Sequence, residues 1–280
     1  MKQHFFFLGI VLMAIVLTTS CKSPLDVENI SLSRDTIVLT INEEFVLTAT
    51  ITPNNATDNS VEWSSSNSNI AKVNKGVVTA LSLGETTIIA KAGNKTDICI
   101  VKVRDGAKIN GVIWATCNVD DFGTFAPTPE SANMLYQWNR PTAWNNTDEN
   151  VEGWDNSIPE GTKWAAANDP SPDGWRIPTM SEIASLLDTR KVKQEFITQN
   201  EVRGVKFTDI DTKCSIFLPA TGYRLNDGFL IPAYDGYGYY WSSTGDNSST
   251  ACCLMFFNGY IDLSSGMQKI VGASIRCVAE

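Results

Sequence analysis

Between Ile30 and Val103 the chain alternates apolar and polar residues in short runs broken by turn formers. That is the period-two signature of strands half buried in a sheet. The runs predict strands over Ile30–Ser33, Thr36–Ile41, Phe45–Thr52, Val61–Ser65, Ile70–Val73, Val77–Ala80, Thr86–Ala92 and Asp97–Val103. Pro53-Asn54-Asn55, Asn67-Ser68-Asn69, Lys75-Gly76 and Gly93-Asn94 separate them as turns. Short strands at this spacing favour a β-sandwich over βαβ units, with Trp63 filling the space between the sheets. Beyond a polar link, Arg104 to Lys108, the pattern changes. Thr179-Met180-Ser181-Glu182 reads as a capping box, and Ile183, Leu186 and Leu187 fall on one face of the helix it opens. Strand-like stretches flank it at Gly111–Ala115, Val205–Thr208, Ser215–Leu218, Tyr239–Ser242, Cys252–Phe257 and Ser274–Val278. The second domain, 105–280, therefore reads as α+β with long loops, and the whole chain as multidomain. In front of both domains, Phe5 to Leu17 is apolar without interruption after a start carrying Lys2. That run is too short to cross a bilayer core of about 30 Å, so it predicts an export signal over 1–20, removed before Cys21.

Leu17-Thr18-Thr19-Ser20-Cys21 resembles the bacterial lipobox, with Thr18 where Leu is usual and Leu17 one place earlier. The resemblance implies lipid at Cys21, a tether over 21–26, and attachment to the outer membrane with the protein surface-exposed. Acyl chains contribute about 0.8 kcal/mol per buried methylene, enough in combination to hold a soluble domain on a membrane without a spanning helix. Composition narrows the rest. The formal net charge of −9 argues against nucleic acid as a partner. His4, the only histidine, lies within the expected signal, so triad catalysis and histidine-ligated metal chemistry are both excluded from the exported chain. Six cysteines remain beside Cys21: Cys99, Cys117, Cys214, Cys252, Cys253 and Cys277. They form no C-x-x-C pair, and Cys252 and Cys253 would face opposite sides of one strand. All six are expected as small buried apolar residues.

Two family resemblances rest on particular residues. Val61-Glu62-Trp63-Ser64-Ser65-Ser66, Ile70-Ala71-Lys72-Val73, Gly76-Val77-Val78-Thr79-Ala80 and Gly84-Glu85-Thr86-Thr87-Ile88-Ile89-Ala90 resemble a bacterial immunoglobulin-like domain of group 2. The match covers 27–104 and implies an all-β spacer or adhesive module. Further along stand Gly111-Val112-Ile113-Trp114-Ala115-Thr116, Tyr136-Gln137-Trp138-Asn139-Arg140 and the stretch from Asn168 to Thr179 with Gly174-Trp175-Arg176-Ile177-Pro178. With Leu218-Pro219-Ala220-Thr221-Gly222-Tyr223-Arg224, Tyr239-Tyr240-Trp241-Ser242-Ser243-Thr244 and Ile275-Arg276-Cys277-Val278, they resemble the Fibrobacter succinogenes major paralogous domain. That family occurs in secreted or lipidated proteins of Bacteroidetes, and the resemblance implies a fold like that of C-type lectins and formylglycine-generating enzymes. Ser171 stands where family members commonly have a cysteine, which leaves Cys277 without that family partner.

The lectin-like fold does not bring lectin chemistry with it. Glu-Pro-Asn, Gln-Pro-Asp and Trp-Asn-Asp, the calcium-dependent sugar motifs, are absent, and Asp209-Ile210-Asp211 and Asp120-Asp121 read as solvated loop acids rather than calcium ligands. There is no S-x-x-K dyad in the exported chain, no G-x-S-x-G elbow and no phosphate loop. Aromatic recognition remains. Seven of the eight tryptophans lie in the second domain, and Trp114, Trp175 and Trp241 inside the family blocks read as core. Trp138, Trp144, Trp154 and Trp164 sit among Asn, Asp, Gly and Thr, suited to stack on a sugar ring while amides meet its hydroxyls. Trp144 and Trp154, in the Asn-rich stretch, are the expected exposed pair, joined as candidate ligand-binding residues by Tyr234 and Tyr237. The sequence calls for no cofactor, no metal and no catalytic residue. It reads as a non-catalytic surface lipoprotein whose head binds a glycan or a surface protein. A hydrolase using two carboxylates, and a structural component of a surface complex, are the alternatives.

Overall fold

The computed structural model describes residues 24–131, 134–233 and 236–280. Cys21, the expected export signal and Tyr234 lie outside these residues. The first domain contains β1 (Asn29–Leu32), β2 (Thr36–Thr40), β3 (Glu44–Val46), β4 (Ala49–Thr52), β5 (Glu62–Ser65), β6 (Ala71–Asn74), β7 (Val77–Ala80), β8 (Gly84–Ala92) and β9 (Lys95–Arg104). One sheet runs β2-β9-β8-β5, a second β3-β7-β6, and β1 pairs with β4. The long β8–β9 hairpin supplies the inner wall. Ile88, Ala90, Cys99, Val101 and Val103 alternate inward and are fully buried, as the period-two pattern requires. Trp63 is half-buried between two apolar clusters, one on Leu39, Val78 and Val101 and the other on Val27, Ile30 and Ala90. The predicted strand Phe45–Thr52 is two strands, because the chain leaves one sheet for another at buried Leu47, whose N–H donates to the Gly76 carbonyl at 2.8 Å.

The second domain, the head, adds β10 (Ala107–Ile109), β11 (Val112–Trp114), β12 (Met134–Gln137), β13 (Ala143–Asn145), β14 (Trp175–Arg176), α1 (Met180–Ser185), β15 (Val192–Gln199), β16 (Val202–Asp209) and β17 (Ser215–Pro219). It ends with β18 (Tyr223–Arg224), β19 (Leu230–Ile231), β20 (Gly238–Gly245), β21 (Thr250–Phe257), β22 (Tyr260–Gln268), β23 (Gly272–Ala273) and β24 (Val278–Ala279). Thr179 caps α1 through the expected capping box with Glu182, and Ile183 and Leu186 are buried. This helix has six residues and is the one α-helix among the described residues, so the head is mostly β, with less helix than an α+β reading implies. Trp114, Trp175 and Trp241 are buried, as expected of core residues.

Two further expectations are corrected. Asp209 is not a solvated loop acid. It is buried and accepts N–H groups from Asn110, Asp211 and Thr212, so it ties the end of β16 to the loop after β10. Nor are all six cysteines buried: Cys214 is exposed and Cys117 half-buried, and all six carry free thiols.

The two domains touch through Val38 of β2, which packs on the head cluster containing Trp175, and through an ion pair between Glu43 and Lys108. Arg104, at the end of β9, lies against Gly174. A side chain there would bring its Cβ within 2.6 Å of the guanidinium, so glycine is required by contact as well as by its φ of +80°.

Candidate functional site

The Asn-rich stretch carrying Trp144 and Trp154 is held down. Arg224 is fully buried, donates to the carbonyls of Asn145, Gly228 and Asp148, and so clamps the loop from beneath. Asn145 closes a turn by accepting the N–H groups of Thr147 and Asp148, and Arg140 ion-pairs with Asp155 and reaches the Ser157 carbonyl at 2.8 Å. Within this frame the two indoles lie against each other, 5.1 Å between centroids at 50°. Trp154 fills a slot walled by Gly228 and Gly272, where a Cβ would come within 3.0 and 2.9 Å of its ring, and its N–H donates to the Asn226 carbonyl. Both tryptophans are half-buried. Trp138 and Trp164 are buried, pack edge to face and donate internally, so their faces are closed to a ligand.

The tyrosines lead elsewhere. Strands β20, β21 and β22 form an antiparallel sheet whose two faces differ. One face presents Tyr240, Leu254 and Phe256 to the core, with Ile261 and Leu263 packed beside them. Because side chains alternate, the other face carries the intervening residues. Towards one end it is covered, with Trp241 and Cys253 fully buried. Towards the other it opens into an aromatic surface of Tyr237, Tyr239, Met255, Phe257 and Tyr260, joined by Tyr223 from β18. Tyr237 stacks on Phe257 at 5.3 Å and 30°, Phe257 meets Tyr260 at 5.5 Å, and Tyr223 meets Tyr239 edge to face at 4.8 Å. All are half-buried except Tyr260, which is 46% exposed.

Electrostatically this surface is quiet. Burial, reinforced by Tyr223, pushes the Tyr239 phenol up to about 12, so its proton stays in place. The Tyr260 hydroxyl donates to Asp262, which raises the phenol's pKa and lowers the carboxyl's. Hydroxyls thus ring an apolar face, with one carboxylate at its border.

Family models match in the expected order. Residues 26–103 match the bacterial Ig-like domain of group 2, and residues 107–279 match the Fibrobacter succinogenes major domain. The chain belongs to the Fibrobacter succinogenes major domain family. The curated relatives align over one domain's length. An uncharacterized protein of Clostridium acetobutylicum is 40% identical over 78 residues, and an Ig-like virion protein of Serratia phage KSP90 is 38% identical over 81. These alignments cover 26% and 28% of the chain, and the chain spans only 8% and 31% of those relatives' lengths. Two structures of the surface-layer protein SbsC also align. Domains 4 and 5 do so over 30% of this chain and 54% of theirs at 20% identity, with a TM-score of 0.26. Domains 5–6 align over 70% and 98% at 14% identity, with a TM-score of 0.28. TM-scores this low establish no shared architecture.

In the head of this family member, no group of three or more acids, cysteines or histidines converges as a metal site among the described residues. Phe257 and Tyr260 were not singled out in the sequence, yet a signal for them was present. Asn258-Gly259 between two apolar runs is a strong hairpin marker, both residues having positive φ, and it makes Phe257 and Tyr260 direct cross-strand neighbours.

Proposed function

We propose that the protein is a non-catalytic surface protein held by lipid at Cys21, in which the Ig-like domain spaces a head that binds glycan through its tyrosine-rich sheet face. The observation that carries this reading is the contiguous surface of Tyr223, Tyr237, Tyr239, Phe257 and Tyr260. Sugar rings present C–H faces that lie on aromatic rings and hydroxyls that bond phenols, and a rigid aromatic surface loses little side-chain freedom on binding. Trp144 and Trp154 are supporting residues in this reading, holding the loop beside the Arg224 clamp. A binder is favoured over a hydrolase by the carboxylates. Among the described residues, every acid whose pKa departs clearly from normal is held low, Glu182, Asp209 and Asp262 included, whereas a glycosidase needs one acid held high.

A glycan array with the full chain tests this directly. Tyr260→Ala and Tyr237→Ala are expected to lose the bound glycans at an unchanged melting temperature, while Trp154→Ala is expected to melt earlier, by about 2–3 kcal/mol of stability. Undiminished glycan binding by both tyrosine variants, or release of products from a bound glycan, rules the proposal out.

A further inference from the structure

Past Tyr260 the end of the sheet turns towards its core-facing side, where Phe256 lies. The turn Asn258-Gly259, between Phe257 and Tyr260, and Gly236, beside Tyr237, also form one side of a groove of about 270 Å³. Its other side is the β15–β16 hairpin, through Phe196, Thr198 and Arg203. Pairing places Thr198 directly opposite Arg203, and Phe196 opposite Val205, so Phe196, Thr198 and Arg203 share one face of the hairpin. Phe196 is 42% exposed, its inner edge resting on Phe256 at 6.4 Å. Nothing stands within 4 Å of where a Cβ would be at Gly236 or Gly259, so the backbone there is open to close approach.

Arg203 is the unusual member. Of the head's other arginines, Arg140, Arg176 and Arg190 are ion-paired, and Arg224 and Arg276 are buried with their donors on oxygen atoms. Among the described residues, Arg203 is exposed and its guanidinium has no hydrogen-bond or ion-pair partner, although the chain carries 31 acids against 22 bases. An aromatic wall, a threonine hydroxyl, an asparagine amide and one unpaired guanidinium together fit a sugar ring bearing a carboxylate. The guanidinium fork matches a carboxylate in a planar, two-bonded geometry, and Phe196 offers a face for the ring.

Resting on the glycan-binding reading above, we infer that the groove selects acidic glycans. A uronate-bearing residue sits against Phe196 and Arg203, and the neutral remainder of the chain passes around the Asn258-Gly259 turn to Tyr260, Phe257 and Tyr237 on the other face of the sheet. The volume suits one ring held at the end of an open surface, being below the roughly 300–1,000 Å³ of enclosed small-molecule pockets.

The test compares the full chain and its Arg203→Ala, Arg203→Lys and Tyr260→Ala variants against matched neutral and uronate-containing oligosaccharides, with a polyglutamate peptide as a charge control. The Arg203 side chain is exposed, so folding is expected to be unaffected, and a melting curve checks this. The expected result is a preference for the uronate oligosaccharide that weakens with salt and falls about tenfold in Arg203→Ala, with partial recovery in Arg203→Lys. Tyr260→Ala is expected to weaken neutral and acidic chains alike. Equal affinity for the neutral and acidic chains, an unchanged preference in Arg203→Ala, or polyglutamate binding as tight as the uronate would overturn the inference while leaving the tyrosine surface as a glycan site. Absence of binding to every oligosaccharide would overturn both.

Discussion

Cys277 and Ser171 show how much one side chain decides. The Cys277 thiol donates to the Ser171 hydroxyl at 3.0 Å, deep in the head, and burial pushes that thiol up to about 12 even though Ser171 acts to lower it. The serine occupies the place where the family resemblance expects a second cysteine, and the contact keeps the two side chains within reach of each other. Ser171→Cys is therefore expected to form a cross-link to Cys277 and to raise stability by up to about 4 kcal/mol, since it would close a loop of 106 residues. Melting with and without reductant, together with mass analysis of the unreduced protein, checks this. Alkylation of the native wild type is expected to mark exposed Cys214 and to spare Cys277.

At the scale of elements, α1 is short enough to depend on its cap. Thr179 and Glu182 satisfy each other's backbone N–H groups, and Glu182 also forms a forked pair with Arg176. Burial acts to raise the Glu182 pKa, but the hydrogen bonds from Arg176 and Thr179 outweigh it and leave it below its ordinary value of 4.5. A carboxyl depressed on folding contributes stability above its unfolded pKa and loses it as pH falls through the folded value. The stability gap between wild type and Glu182→Gln is thus expected to be full at neutral pH and to close below about pH 4, as thermal melts across pH would show. If the gap is independent of pH, the carboxylate is not the stabilising species.

This capping box was legible in the sequence, as were most strands of the Ig-like domain, because each is a local pattern. What escaped was what neighbours decide. The β15–β16 hairpin turns at Asn200-Glu201, both in the left-handed region, where glutamate gives none of the usual turn signal, and Lys193 and Glu195 interrupt the apolar pattern of β15. Likewise β22, Tyr-Ile-Asp-Leu-Ser-Ser-Gly-Met-Gln, has weak strand character and owes its place to its long pairing with β21. The groove's Phe196 and Arg203 stand on β15 and β16 and Tyr260 on β22, whereas Tyr239 and Phe257 lie on strands that the sequence pattern did show. The Asn-rich loop was misleading for a related reason, since its polar composition gives no sign that Arg224, 76 residues beyond Asp148 in sequence, holds it from below.

For the whole molecule, the contacts at the domain boundary matter most. Val38 on the head core, the Glu43–Lys108 pair and Arg104 on Gly174 fix the head on the spacer at three points, more than a flexible linker provides. Replacing Lys108 and Val38 together by alanine is expected to broaden the distance distribution between spin labels on the two domains without lowering either domain's melting temperature. An unchanged distribution would show that Arg104 on Gly174, together with the link itself, suffices to hold the two domains.

The pairing of β2 with β9 has a mechanical consequence. The two strands run parallel, Thr36 beside Ile100 through Thr40 beside Arg104. In sequence, β1 stands between the proposed membrane tether and β2, while β9 leads directly into the head. Once β1 yields its pairing with β4, a load applied between an anchored base and an engaged head pulls the start of β2 against the end of β9. The strands must slide along their length, which strains the hydrogen bonds of the pair together rather than opening them one after another. The spacer is thus arranged to resist force along the axis on which a surface-bound head would be tugged.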